Sequence, residues 1–179
     1  TMSESLPYIT HAIDSIMDGH PLERGVIHTT SYQQADYIRE HLSPYNQERI
    51  LITNPDEDRS QLLIKHSKRK AGVLLSPSLY LGVDLRDELS RFQIIVKVPY
   101  PDLSDNRVKA KMKKDRRWYD WQTALRLVQT YGRSVRSNDD YADTYVLDSQ
   151  LIPFVKHHPT LFPKWFTEAL RPVSEIYSS

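Results

Sequence analysis

Between Gln129 and Asp148 the chain reads Q-T-Y-G-R-S-V-R-S-N-D-D-Y-A-D-T-Y-V-L-D, and within it Arg133 and Arg136 stand about one helical turn apart. Guanidinium groups stay charged at any physiological pH and their planar forks match phosphate oxygens, so two at this spacing can grip one polyanion together. Arginines that stabilise charge on a phosphoryl group in transfer act in this way. A surface ion-pair cluster is the plain alternative, and Gln129, Gly132 and Asp140 around the arginines make it the weaker one.

Two other polar clusters could carry chemistry. In Thr29-Thr30-Ser31-Tyr32, the hydroxyls of Thr30 and Ser31, with free N–H groups at a helix start, can hold a phosphate. Simple N-capping explains Ser31 equally well. In S-P-S-L-Y-L-G-V-D, from Ser76 to Asp84, Ser78 can donate to a nucleic-acid phosphate, and Asp84 can accept from a ribose hydroxyl or orient an arginine. A turn capped by the aspartate is the simpler reading of that segment taken alone. All three clusters are expected at the carboxyl ends of strands, where parallel α/β sheets place their ligands.

The elements that must position them follow from periodicity. Leu6, Ile9, Ile13, Ile16 and Met17 predict a leading helix over residues 6–17, stopped by Gly19 and Pro21. A short strand over 25–30 then feeds a helix capped by Ser31 and running to Leu42, burying Ala35 and Ile38. Residues 49–53, 72–76 and 93–98 read as strands, with a helix over 59–67 between the first two. The strands over 72–76 and 93–98 are apolar enough to be covered on both faces. Residues 101–114 read as a loop and an exposed helix. A long helix over 118–131 is expected to bury a stripe of Trp121, Leu125 and Val128, with Ala124 and Leu127 beside it. A last core strand over 144–147 and short helices over 151–158 and 163–170 complete the chain. Strand–helix alternation of this kind argues for an α/β fold, a mostly parallel sheet with helices on both faces.

Composition narrows the functions. The 179 residues, 39% hydrophobic and 26% charged, suit one domain, read as a leading linker or helix over 1–24 and a domain over 25–179. With no cysteine, a disulfide, a zinc-thiolate site or a thiolate-bound iron–sulfur cluster is excluded within the segment. His28 and the pair His157-His158 lack a carboxylate at ligand spacing, so no metal site is read. No membrane span or signal peptide is visible, and a cytoplasmic location, nuclear in a eukaryote, is the expectation. The net charge of +1 does not advertise nucleic acid, but Lys65–Lys70 and Lys109–Arg117 are basic runs that could neutralise phosphates or simply face solvent. No G-x-x-x-x-G-K-[ST] loop occurs, and 5 glycines could hardly supply one.

Five segments in order resemble the C-terminal motor domain of superfamily 2 helicases of the DinG/XPD type. G-V-I-H-T-T-S-Y resembles motif IV, and G-V-L-L-S-P-S-L-Y-L-G-V-D-L resembles motif V at Ser78, Gly82 and Asp84. Q-I-I-V-K-V-P-Y-P resembles the strand and exit that follow. Q-T-Y-G-R-S-V-R-S-N-D-D-Y matches motif VI at Gln129, Gly132, Arg133, Arg136, Asp140 and Tyr141, and F-P-K-W-F is similar to the family's terminal motif. Leu81 stands where the family usually has Glu, and Arg86-Asp87 replaces Pro-Gly. The resemblance implies a second RecA-like lobe. Arg133 and Arg136 would be its arginine fingers, and Gln129, Gly132, Gly82, Asp84 and Asp140 would line ATP with Mg²⁺ held mainly by a first lobe. Thr30, Ser31 and Ser78 would contact single-stranded DNA, with translocation 5′ to 3′. The first lobe, in cis or as a separate subunit, would carry the phosphate loop and any iron–sulfur cluster. The start within a linker-like helix favours an excised half, inactive alone. A lobe that has lost catalysis and serves as a nucleic-acid-binding or protein-docking module is the alternative, and an RNA helicase lobe fits the motif choice less well.

Overall fold

The computed structural model describes residues 2–53, 56, 58–77, 85, 87–132 and 141–172. Five parallel strands, β1 (Gly25–His28), β2 (Ile50–Ile52), β3 (Val73–Ser76), β4 (Phe92–Ile95) and β5 (Asp143–Val146), lie in the order β2-β3-β1-β4-β5. Every described pairing is parallel, and Gly25 is in register with Val73 on one side and Phe92 on the other. The helices are α1 (Met2–Gly19), α2 (Tyr32–His41), α3 (Pro44–Arg49), α4 (Arg59–Lys68), α5 (Asn106–Lys114), α6 (Arg116–Tyr131), α7 (Leu151–His157) and α8 (Lys164–Ala169). None among the described residues is long and apolar enough to cross a membrane.

The chain divides into two compact units. The sheet unit holds residues 1–98 and 129–148. Because successive side chains in a strand point to opposite faces, the two cores of this unit draw on alternate residues. Ile27, Val73, Leu75, Phe92 and Ile94 pack with Ile13 and Met17 of α1 and Ala35 and Ile38 of α2. Val26 and Leu74 pack with Leu62 of α4 and with Leu85. The expected helices on both faces are therefore present. β1, β3 and β4 are buried along their whole length, whereas β5 is only half-buried, an edge strand rather than the core strand expected. At Gly25 a Cβ would overlap the ring of Phe92, which itself stacks on His20 at 4.6 Å.

The helical unit, residues 99–128 and 149–179, has a core of aromatic rings. Tyr100 stacks on Tyr119 and meets Phe154 edge-on, Phe154 meets Phe162, and Phe162 stacks on Phe166. The buried face of α6 is Tyr119, Asp120, Thr123, Ala124, Leu127 and Thr130. It lies on the arc beside the expected stripe, and Trp121 is 46% exposed. The reason is hydrogen bonding. Thr123 Oγ1 donates to Tyr119 O at 3.0 Å, and Asp120 sits 3.6 Å from Arg116 and 3.9 Å from His158, so these polar side chains are buried with partners.

Candidate functional site

At the carboxyl edge of the sheet, β1, β2 and β3 each end at a hydroxyl. Thr53 Oγ1 donates to Ser76 Oγ at 2.6 Å, and Thr29 N donates to Ser76 O at 3.1 Å. Beside them the chain turns into α2. Ser31, in extended backbone, accepts the Gln34 N–H on its Oγ at 3.1 Å, so it is an N-cap as the simpler reading held. Gln34 reaches back in turn, its Oε1 accepting from Thr30 N at 3.0 Å and Thr30 Oγ1 at 3.2 Å. This is a capping box shifted by one residue. Capping uses only the acceptor side of the exposed Ser31 hydroxyl, which keeps its proton for an outside acceptor. Gln34 is 2% exposed and its Nε2 has no hydrogen-bond partner. An anion at the first turn of α2 would find the Ser31 hydroxyl and the helix dipole together.

Ser78, Gly82 and Asp84, expected to follow the end of β3, lie outside the described residues, as do Arg133, Arg136 and Asp140. The flanks of the arginine-bearing segment are described. Gln129, exposed, and Gly132, half-buried, lie at the carboxyl end of α6, and Tyr141 leads into the amino end of β5.

Both flanks are pinned by β4 or the residue before it. Gln93 Nε2 donates to Tyr131 O and to Thr144 Oγ1, each at 2.8 Å. Arg91 lies 4.5 Å over the Tyr141 ring and donates from Nη1 to Tyr141 O at 3.3 Å. Beside Tyr141 is a cavity of about 440 Å³ whose lining includes Arg24, Lys70 and Arg91 with Glu23 and Glu88. The sequence reading missed Gln34 and Gln93 as positioning residues. The available signal was a glutamine inside an apolar strand and one at the third position of a capped helix.

The two basic runs part ways. In Lys65–Lys70, His66 is fully buried and Arg69 Nη1 donates to Glu48 O and Ile50 O, each at 3.2 Å, so much of that run is structural. The cations of Lys109–Arg117 are all exposed.

Comparison with known proteins fits this arrangement. A model of the helicase C-terminal domain matches residues 13–169. The "Regulator of telomere elongation helicase 1 homolog" of Caenorhabditis elegans is 27% identical over 105 residues, a match covering 50% of this chain and 10% of that protein. The fold of Xpd4 from S. tokodaii superposes with a TM-score of 0.66 at 20% identity, covering 91% of this chain and 34% of that one. Domain 2 of the DEAD-box helicase Mss116p, solved bound to an RNA duplex, gives a TM-score of 0.56 at 14% identity, covering 86% and 53%. The chain thus spans only a small part of the curated relatives it matches. With a parallel RecA-like sheet, five motif-like segments in order and a family match over most of its length, the chain belongs to the helicase C-terminal domain family, of the DinG/XPD type.

Proposed function

We propose that this chain is the second motor lobe of an ATP-dependent DNA helicase, gripping single-stranded DNA at the carboxyl edge of its sheet and completing an ATP site with a first lobe. The observation that carries the proposal is the carboxyl-edge cluster of Ser31, Thr30 and Gln34, in which the exposed Ser31 hydroxyl keeps its proton for an anion at a helix start. Ser31, Thr30 and, by the motif V resemblance, Ser78 then contact the DNA backbone. Motion 5′ to 3′ is the direction the resemblance implies.

On the nucleotide side the donor set fits half of a site. Guanidinium and amide donors suit phosphate oxygens, and the resemblance assigns the Mg²⁺ ligands mainly to the first lobe. ATP bound with Mg²⁺ supplies the γ-phosphoryl group that is transferred to water. Arg133 and Arg136 bind and orient that group and offset the charge developing on its oxygens. Gln129, Gly132, Gly82, Asp84 and Asp140 line the nucleotide, and Gln93 and Arg91 hold the ends of the arginine-bearing segment. Leu81, where the family usually has Glu, favours the second reading, a lobe that binds nucleic acid without turnover.

Arg136→Ala in the two-lobe protein is expected to lower DNA-stimulated ATP hydrolysis by about 10³-fold or more while DNA binding is kept. Turnover unchanged by the substitution would remove the finger assignment and leave the binding module.

A further inference from the structure

Helix α5 buries none of its side chains. Val108 and Met112, four residues apart, are its only partly covered positions, and Arg107, Lys109, Lys111, Lys113 and Lys114 occupy the rest of the surface with Asn106 and Ala110. Ordinary ion pairing does not account for these charges. Arg107 is held by Asp105 at 3.0 Å and Lys109 acts electrostatically on Asp102, but Lys113 and Lys114 make no ion pair among the described residues. Lys111 lies 5.1 Å over the ring of Trp118, and one turn further along α6 Trp121 is 46% exposed. Trp121 is therefore half in water one turn from the ring that Lys111 covers.

We infer that α5 and the first turns of α6 form a second track for single-stranded DNA, the lysines taking backbone phosphates and Trp121 stacking on an unpaired base. The inference rests on the reading above in taking DNA as the strand. Single-stranded rather than duplex DNA is the occupant because an exposed ring needs an unpaired base face, whereas phosphates alone would need only the lysines. An acidic protein segment would satisfy the lysines and leave Trp121 without a role.

The test uses the full chain and a fluorescently labelled oligo(dT), titrated at several salt concentrations. The triple variant Lys109→Gln, Lys113→Gln, Lys114→Gln is expected to flatten the slope of log affinity against log salt by about 2, since each phosphate contact on a single strand contributes roughly 0.7. Trp121→Ala is expected to weaken binding by about 5- to 150-fold with the slope kept. Circular dichroism identical to the parent certifies the fold of both exposed-site variants. Parental affinity and slope in both variants overturn the inference, as does an oligoglutamate peptide that displaces the DNA at equal charge. If Ser31→Ala then weakens binding while these variants do not, only the second track is lost. If the parent chain binds no oligo(dT) at all, the DNA-gripping reading falls with it.

Discussion

His66 is fully buried in the sheet unit, its Nε2–H donating to Leu89 O at 2.7 Å while Nδ1 has no partner. Burial pushes its pKa below the usual histidine value. The Leu89 carbonyl works against that shift, and the neighbouring Arg24 and Arg69 guanidiniums reinforce it. The native ring therefore stays neutral at pH values where the unfolded chain, with its ordinary value near 6.5, takes up a proton. Stability from this group is complete above about pH 6.5 and is lost as pH falls toward the depressed native value. His66→Gln keeps a donor for Leu89 O and removes the titration. Urea unfolding at pH 7.5 and 5.5 should show a smaller loss of stability in the variant, the difference reaching about 1.4 kcal/mol per pH unit within the window. An equal loss in both proteins would contradict the neutral assignment.

Arg49 shows how one side chain can join several elements. It is 6% exposed at the end of α3, donating from Nε to Ala71 O, from Nη1 to Met17 O and Asn46 Oδ1, and from Nη2 to His20 O and Glu23 O. Burial lowers its pKa, with Tyr45 and Asp18 opposing, and the guanidinium remains charged against the carbonyl end of α1. Asn46 extends the network to Asp14 and Asp18 on the same helix. Arg49→Met would leave these carbonyls without donors and is expected to cost about 3 kcal/mol or more, read as a fall in Tm of roughly 6 to 12 °C. A fall of less than about 2 °C would show that water replaces the side chain. The sequence placed Arg49 at the start of a strand and did not show α3, because a helix of 6 residues opened by Pro44 has too few turns for a periodic signal. The β1–α2 unit was legible because continuous apolar residues, a capping serine and a helical repeat agree there. The buried face of α6 was not, because Thr123, Thr130 and Asp120 find partners inside and so count as core.

Across the sheet unit, Thr30 and Ser31 lie at the carboxyl ends of the strands, while Gln129 sits in the last turn of α6 and Gly132 just after it. Motif order along a chain does not reveal on which side of a strand each segment enters; topology does. On the proposed reading, a lobe with no phosphate loop of its own acts on ATP only as half of a shared site. The most direct measurement is ATP hydrolysis in the presence of single-stranded DNA by the first lobe alone, by this chain alone and by the two together. Turnover confined to the combined sample, or raised there by about 10³-fold or more over either part, is the expected result. A first lobe that hydrolyses ATP equally fast without this chain would contradict the shared site.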